Sequence, residues 1–507
     1  MGLLETIVIF GTPLLLVGLF VVPFLRVGVD LADEGYLVYG VSCLLKGQIP
    51  VRDFRAYDPG RYYWCGLFAL IFGRGNFATR MAMAVTLAMG LSVVAALVLS
   101  ATGVPLLSML MCALALIWMQ PRHKQIENFF TILGVFVLCN LFGNSTPFDY
   151  AVLGAVIGFS AFFGLNSFVY LVGASVLTFG FGIGVPALIS VYAFGLGLAV
   201  GLLPICALCI GAKGYATSYW HRKVAALVKR GTTNLKIPLP WIWAKGRTGF
   251  DRLSPARRMT FKWLFTLMPV LFIAGLTVPL IVDVSEMTAA QQLIFTASCV
   301  GIVNFYHTLS RADLGHMFQP VLPLGILIAA SSFMFFGAIV ASILVLIAIF
   351  ASVWLVWQQA FHLPNYLRNR HNLVTFETAN DRFLLPAGLA NQMTRLKNLT
   401  EEWSDKNDPI LAVPLHIGVC AMLDRQHAAY DSFPVYPSEA TARAAMINDL
   451  KATMPKIMLI GTAALDHRKE LVFLNNYPEV AALIDQKYRL LEGVGLTEVY
   501  VLKDAGL

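Results

Sequence analysis

Residues 30–61, DLADEGYLVYGVSCLLKGQIPVRDFRAYDPGR, gather groups that can move protons or hold anions directly after a first apolar run. Asp33 and Glu34 are adjacent carboxylates, and Asp53, Arg55, Tyr57, Asp58 and Arg61 come in one short stretch after them. Ionisable side chains at an apolar boundary are costly unless solvated or paired, so the cluster is a candidate site. A carboxylate here can act as a general base. A guanidinium can hold a phosphate through paired N–H donors. Asp33 and Glu34 open an interfacial helix expected over 33–46, with Tyr36, Tyr39, Gly40, Cys43 and Leu44 on one stripe. The helix dipole favours anions at that end. Asp30 is also within reach, and both Asp30 and Asp33 suit simple helix capping, so the choice among the three acids stays open on the residues alone. Pro59-Gly60 predicts a tight turn, and Arg61-Tyr62-Tyr63-Trp64 reads as an interfacial anchor. For Asp53, Arg55, Tyr57, Asp58 and Arg61, ligand binding and pairing within the loop weigh equally.

A second set is Arg311-Ala-Asp-Leu-Gly-His316, with His307 upstream, in a strongly apolar neighbourhood. Arg311 and His316 can clamp a phosphate while Asp313 fixes their geometry; the rival reading is a salt bridge locking a helix end. Glu127 reads as a solvated or paired interfacial residue. Cys206 and Cys209 form a C-x-x-C inside an apolar run without a second ligand pair, which suits packing better than metal or redox work. Asn144-Ser-Thr and Asn398-Leu-Thr fit the glycosylation sequon and decide nothing. No P-loop, repeat or metal-ligand spacing is present.

The elements that position these groups are mostly membrane helices. Of 507 residues, 58% are hydrophobic and 13% charged, which excludes a soluble globule. Runs at 6–25, 81–100, 105–119, 128–143, 149–165, 168–184, 186–211, 263–283, 319–336 and 338–358 are expected spans, 61–73 is a shorter one, and 291–309 is ambiguous. The net charge of +8 concentrates in residues 212–262, where Lys213, Arg222, Lys223, Lys229, Arg230, Lys236, Lys245, Arg247, Arg252, Arg257, Arg258 and Lys262 face the single acid Asp251. The positive-inside tendency makes this a cytoplasmic loop. Counting from it places 27–60 outside, and Arg74, Arg80 and Arg122-His123-Lys124 inside. A re-entrant 291–309 then sets Arg311, Asp313 and His316 beside the first loop and the C-terminal domain outside; a full crossing sends that domain to the cytoplasm. The re-entrant reading is preferred.

From residue 361 onward apolar runs shorten and charges of both signs appear. Strand-like stretches at 410–415, 456–460 and 497–502 alternate with helical patterns at 389–403, 439–453 and 479–491, which predicts a small α/β domain with a parallel sheet.

The D-F-x-x-Y-x-P-G-R-Y-Y-W run after an acidic pair, with P-I-L-A-V-P, M-L-D-R, P-K-I-M-L-I and Y-P-E-V in the tail, resembles the polytopic GT-C glycosyltransferases that use polyprenyl-phosphate sugars. The nearest branch is the protein O-mannosyltransferase and lipid A aminoarabinose transferase type. The resemblance implies an α-helical polytopic membrane protein, a catalytic domain over 1–360 and an extracytoplasmic α/β domain over 361–507. It implies an inverting transfer of a sugar from a polyprenyl-phosphate donor to an extracytoplasmic lipid, glycan or protein acceptor, in a bacterial inner membrane. Asp33 matches the family's base, with Glu34 orienting it or binding the acceptor. Asp53, Arg55, Tyr57, Asp58, Arg61, Arg311, Asp313 and His316 then bind donor sugar or phosphate. The class includes metal-free and divalent-ion members, so no cofactor is assigned. Nucleic acid is not an expected partner. The rivals are a lipid or glycan flippase and a non-catalytic envelope assembly protein.

Overall fold

The computed structural model describes residues 2–119, 122–143, 145–230, 235–245, 249, 253–360 and 362–503. Asn144 of the first sequon, and Arg247, Asp251 and Arg252 of the basic loop, lie outside the described residues. The chain forms two compact units, Met1–Pro23 with Met83–Phe361, and Phe24–Ala82 with His362–Leu507.

The first unit is the membrane bundle. Among the described residues of the chain, seven helices are long and apolar enough to cross a membrane: Leu3–Phe24, Asn76–Thr102, Leu165–Ile183, Leu188–Gly211, Pro255–Ile281, Ala289–Ser310 and Leu314–Val356. Shorter apolar helices run over Pro105–Trp118, Gln125–Cys139 and Pro147–Phe163. The run from Leu314 to Ala360 is interrupted at Gly337 (φ 79°), between the two spans expected at 319–336 and 338–358. The ambiguous 291–309 lies within the 22-residue helix Ala289–Ser310, which is long enough for a full crossing and is not the re-entrant segment preferred from sequence.

The second unit joins segments far apart in the chain. Its C-terminal part carries a hairpin of β1 (Leu373–Glu377) and β2 (Arg382–Pro386). After it comes a four-stranded sheet of β3 (Leu411–Val413), β4 (Ile457–Gly461), β5 (Tyr488–Val494) and β6 (Thr497–Leu502), in the order β3-β4-β6-β5. Within this sheet only the β3–β4 pair is parallel. The helices Ala387–Trp403, Ala440–Thr453 and Pro478–Lys487 occupy the expected places, but the last ends four residues early and gives way to β5. Leu411, Val413, Met458, Ile460, Leu450, Phe473 and Ile484 form the core between sheet and helices.

Residues 24–82 belong to this unit, not to the bundle, so a single boundary near 361 does not describe it. Gly28 N donates to Leu384 O and Leu384 N to Arg26 O, which pairs the start of the first loop with β2. The helix Asp33–Leu45 packs on Ile417–Met422: Gly418 N donates to Leu31 O, and a Cβ on Gly35 would lie 2.6 Å from Gly418 Cα. A Cβ on Gly40 would lie 2.1 Å from the Tyr62 ring, so only glycine lets this helix meet Pro59–Phe72 so closely.

The expected crossing at 61–73 does not occur. Pro59–Phe72 has 14 residues, about 21 Å at 1.5 Å per residue, short of the ~30 Å hydrocarbon core. Both its ends are also held inside the second unit. At the near end Tyr57 N donates to Tyr62 Oη (2.8 Å); beyond the far end Asp381 accepts from Asn76 N (2.6 Å) and Phe77 N (3.2 Å). Arg80, expected inside, is bonded to Glu34 of the first loop, so it shares that loop's side. This correction and that at 289–310 cancel in the crossing count, which keeps the first loop and the C-terminal domain on one side.

Candidate functional site

In the second unit, Asp30 precedes the helix Asp33–Leu45, whose N-cap is Ala32, and closes the turn into it: its Oδ1 accepts from Ala32 N (2.9 Å) and its Oδ2 from Glu34 N (3.4 Å). Asp33, half-buried, is the first residue of the helix and has a different partner. Tyr57 Oη donates to Asp33 Oδ1 at 3.4 Å, and the Arg61 guanidinium lies over the Tyr57 ring, 4.9 Å from its centroid. Burial first, and the neighbouring Asp33 charge next, push the Tyr57 phenol well above its ordinary range, so it stays a donor. The Tyr57 ring meets Tyr36 edge-on at 4.8 Å, and Tyr36 leans on Phe433 at 5.1 Å. Asp33, Tyr57 and Arg61, named separately from sequence, thus form one chain of contacts.

Glu34 does something else. It is 5% exposed, and Arg80 (1%) reaches both its oxygens, at 2.7 and 2.5 Å, while donating to Leu25 O and Gly28 O. A buried carboxylate engaged at both oxygens by a guanidinium holds the first loop against the start of the next helix. Arg55 is likewise committed: its Nη1 donates to both oxygens of Asp431 (2.6 and 2.7 Å) and to Phe433 O (2.9 Å), and its guanidinium lies 5.7 Å from the Tyr436 centroid. Its charge is neutralised by Asp431, which removes it from the candidates for holding phosphate. Asp53 pairs with Arg52 (2.8 Å) and accepts from Ile49 N (2.8 Å), a turn-closing arrangement within the loop. Asp58 stands at the N-cap of Pro59–Phe72.

In the first unit, the sequence-local trio is assembled. Arg311 Nε donates to Asp313 Oδ2 (2.6 Å), and His316 Nδ1 lies 2.6 Å from Asp313 Oδ1, which also accepts from His316 N (3.1 Å). Burial opposes charge on Asp313, but His316, Lys124 and Arg311 outweigh it and hold the carboxyl well below the usual range. His307 packs against His316 in a tilted arrangement with centroids 4.9 Å apart and meets Tyr170 Oη at 3.2 Å. Lys124, which in the sequence bears only on topology, donates to Gly315 O at 3.1 Å. Two permanent cations around one carboxylate leave a net positive centre suited to an anion. The signal that could have found Lys124 is its position at the start of a membrane helix, Gln125–Cys139, where a lone cation is expensive without a purpose.

Arg311 Nη1 also donates to the buried Leu235 O (2.9 Å), in the basic loop. That loop and Arg311 therefore share one end of the bundle. The expectation that the loop is cytoplasmic and the expectation that Arg311 faces outward exclude one another.

No protein-family model matches the chain, and no curated protein matches it. Among solved structures, the crystal structure of ArnT from Cupriavidus metallidurans bound to undecaprenyl phosphate superposes with a TM-score of 0.52 over 99% of each chain, at 12% identity. The chain has the ArnT fold. The apo form of ArnT from the same organism gives 0.47 over 97% of each chain, at 11% identity. The likeness covers membrane helices and C-terminal domain together, and it is the architecture that the GT-C resemblance implies.

Proposed function

We propose that this chain is a membrane glycosyltransferase that moves a sugar from a polyprenyl-phosphate donor to an extracytoplasmic acceptor. The observation that carries the reading is the end-to-end fold likeness to a chain crystallised with undecaprenyl phosphate. The side chains supply the parts such a reaction needs. Asp33, kept in place by the Tyr57 phenol, takes the proton from the acceptor hydroxyl as its oxygen attacks the anomeric carbon. The bond from that carbon to the phosphate oxygen breaks in the same displacement, which inverts the centre. Within the same unit Arg61, which lies over the Tyr57 ring, stabilises the departing phosphate; in the bundle, Lys124 and Arg311 around Asp313 make another positive centre, suited to an anionic headgroup. Glu34, Arg55 and Asp53 act by holding the loop in shape.

In this reading the bundle end carrying Lys124, Leu235 and Arg311–His316 faces the exterior of a bacterial inner membrane, and the basic loop lies there too, against anionic headgroups. The charges sit at one end of the bundle, not at helix breaks near mid-depth as a transporter would place them. Removing the chain from its host and weighing the envelope glycans and lipids tests the proposal. The expected result is loss of one sugar mass from an envelope component, accumulation of polyprenyl-phosphate sugar, and recovery with the wild-type chain but not with Asp33→Asn. Altered lipid sidedness with no change in any glycan mass would point to a flippase instead.

A further inference from the structure

We infer that the second unit carries a subsite for a neutral carbohydrate acceptor, formed by Tyr57, Tyr436 and the Arg55–Asp431 pair. The inference rests on the transferase reading and specifies the acceptor's chemical class. The pair joins the first loop to the C-terminal domain, with 30% and 25% of the two side chains left exposed. An ion pair this accessible adds little stability by itself, yet this one is held in a fixed geometry. Asp431 Oδ1 also accepts from Phe433 N (3.1 Å), and Arg55 N donates to Tyr430 O (3.0 Å). Tyr430 Oη in turn donates to Val51 O (2.7 Å), pinning a β-branched residue at φ 72°. Strained backbone of this kind persists only where its surroundings over-determine it, and such sites cluster where ligands bind.

The chemistry of the group selects its ligand. The guanidinium and carboxylate cancel, so an anionic acceptor gains nothing from Arg55. Their remaining donor and acceptor capacity suits adjacent hydroxyls, which need both. Tyr57 and Tyr436 are half-buried phenols with one face each under a guanidinium, Arg61 at 4.9 Å and Arg55 at 5.7 Å; the exposed remainder of each ring, with its polar tip, is the surface on which a sugar ring packs. A peptide hydroxyl or an amine would leave this polar set largely unused. The subsite is also placed for the reaction: Tyr57 is one hydrogen bond from Asp33, so a sugar seated on it brings a hydroxyl to the base.

Ligand-observed saturation-transfer NMR on the full chain in detergent tests this, with neutral methyl glycosides, glucose 1-phosphate and a Ser/Thr peptide as probes. The account expects transfer to the methyl glycosides. It expects weaker binding by about tenfold in Tyr436→Ala and a smaller loss in Asp431→Asn. Equal signals for wild type and Tyr436→Ala, or preference for the peptide, overturn it; preference for glucose 1-phosphate over the neutral glycosides also overturns it, and assigns the group to the donor. Because binding is read without turnover, glycoside binding by a chain that alters no envelope glycan would sink the transferase reading and leave the subsite standing. Thermal unfolding of each variant separates lost binding from lost fold.

Discussion

The two units treat charge in opposite ways. In the second, ion pairs join segments distant in sequence: Glu34 with Arg80, Arg55 with Asp431, and Lys46 with Asp424 at 2.7 Å. Each fastens one part of the first loop to another element, and each consumes the charge it uses. In the membrane bundle, Arg311, Asp313 and His316 lie within six residues, and Lys124 joins them from one other helix start. There positive charge is concentrated around a single carboxylate, which is the arrangement an anionic ligand requires. Pairing across distance fastens one segment to another; local concentration leaves net positive charge at one place. Asp33 stands apart from both patterns, with a phenol as its partner.

On that contrast, breaking the buried long-range pair of Glu34 and Arg80 damages the fold, and breaking the local centre damages binding. The largest effect is expected from Arg80→Ala, which strands the buried Glu34 carboxylate and should destabilise the protein by about 3–5 kcal/mol. The double variant Glu34→Gln/Arg80→Gln should recover part of that loss, as thermal unfolding in detergent would show. Next comes acid sensitivity of the C-terminal sheet. His416 bonds to Thr497 Oγ1 at 2.8 Å, and burial pushes its pKa down to about 4. The unfolded chain binds a proton near pH 6.5, so this stabilisation is complete above that pH and is lost as pH falls toward 4. About 2–3 kcal/mol should disappear across the window, and His416→Gln should flatten the profile. Hydrogen exchange at β4 and β6 amides against pH measures it. Lys124→Ala should leave unfolding nearly unchanged but weaken binding of an anionic headgroup by roughly 10–100-fold, the worth of one charge-assisted hydrogen bond. The smallest effect belongs to Arg52→Ala, whose partner Asp53 is its chain neighbour on a partly exposed turn; below about 1 kcal/mol is expected. A larger loss there would blur the distinction between scaffold and centre.

Legibility in the sequence obeys the same division. Apolar runs long enough to span are readable because length and composition alone decide them, down to the interruption at Gly337. R-x-D-x-x-H reads as one cluster because its members are local. The error at 61–73 has a physical source: a mainly apolar run looks like a short span until Asp381, some 300 positions away, is seen holding Asn76 and Phe77. The Glu34–Arg80 pair is hidden for the same reason, since nothing near Glu34 in sequence announces Arg80. At the C-terminus, Tyr488–Val494 contains Leu-Leu-Glu, which favours helix by itself; pairing with β6 across the turn at Gly495 (φ 61°) overrides that preference. The basic loop is read from charge bias alone in the sequence, whereas the hydrogen bond from Arg311 to Leu235 O sets Leu235 at the Arg311 end of the bundle.

The central claim is that Asp33 is the base and is not part of the scaffold. Its direct test is the sugar-transfer rate of Asp33→Asn in washed native membranes, which supply their own polyprenyl-linked donor, beside its thermal unfolding. The account predicts a rate reduced by roughly 10²–10⁴-fold with the unfolding temperature unchanged. Transfer at the wild-type rate, or a rate that falls only because the protein no longer folds, would contradict it.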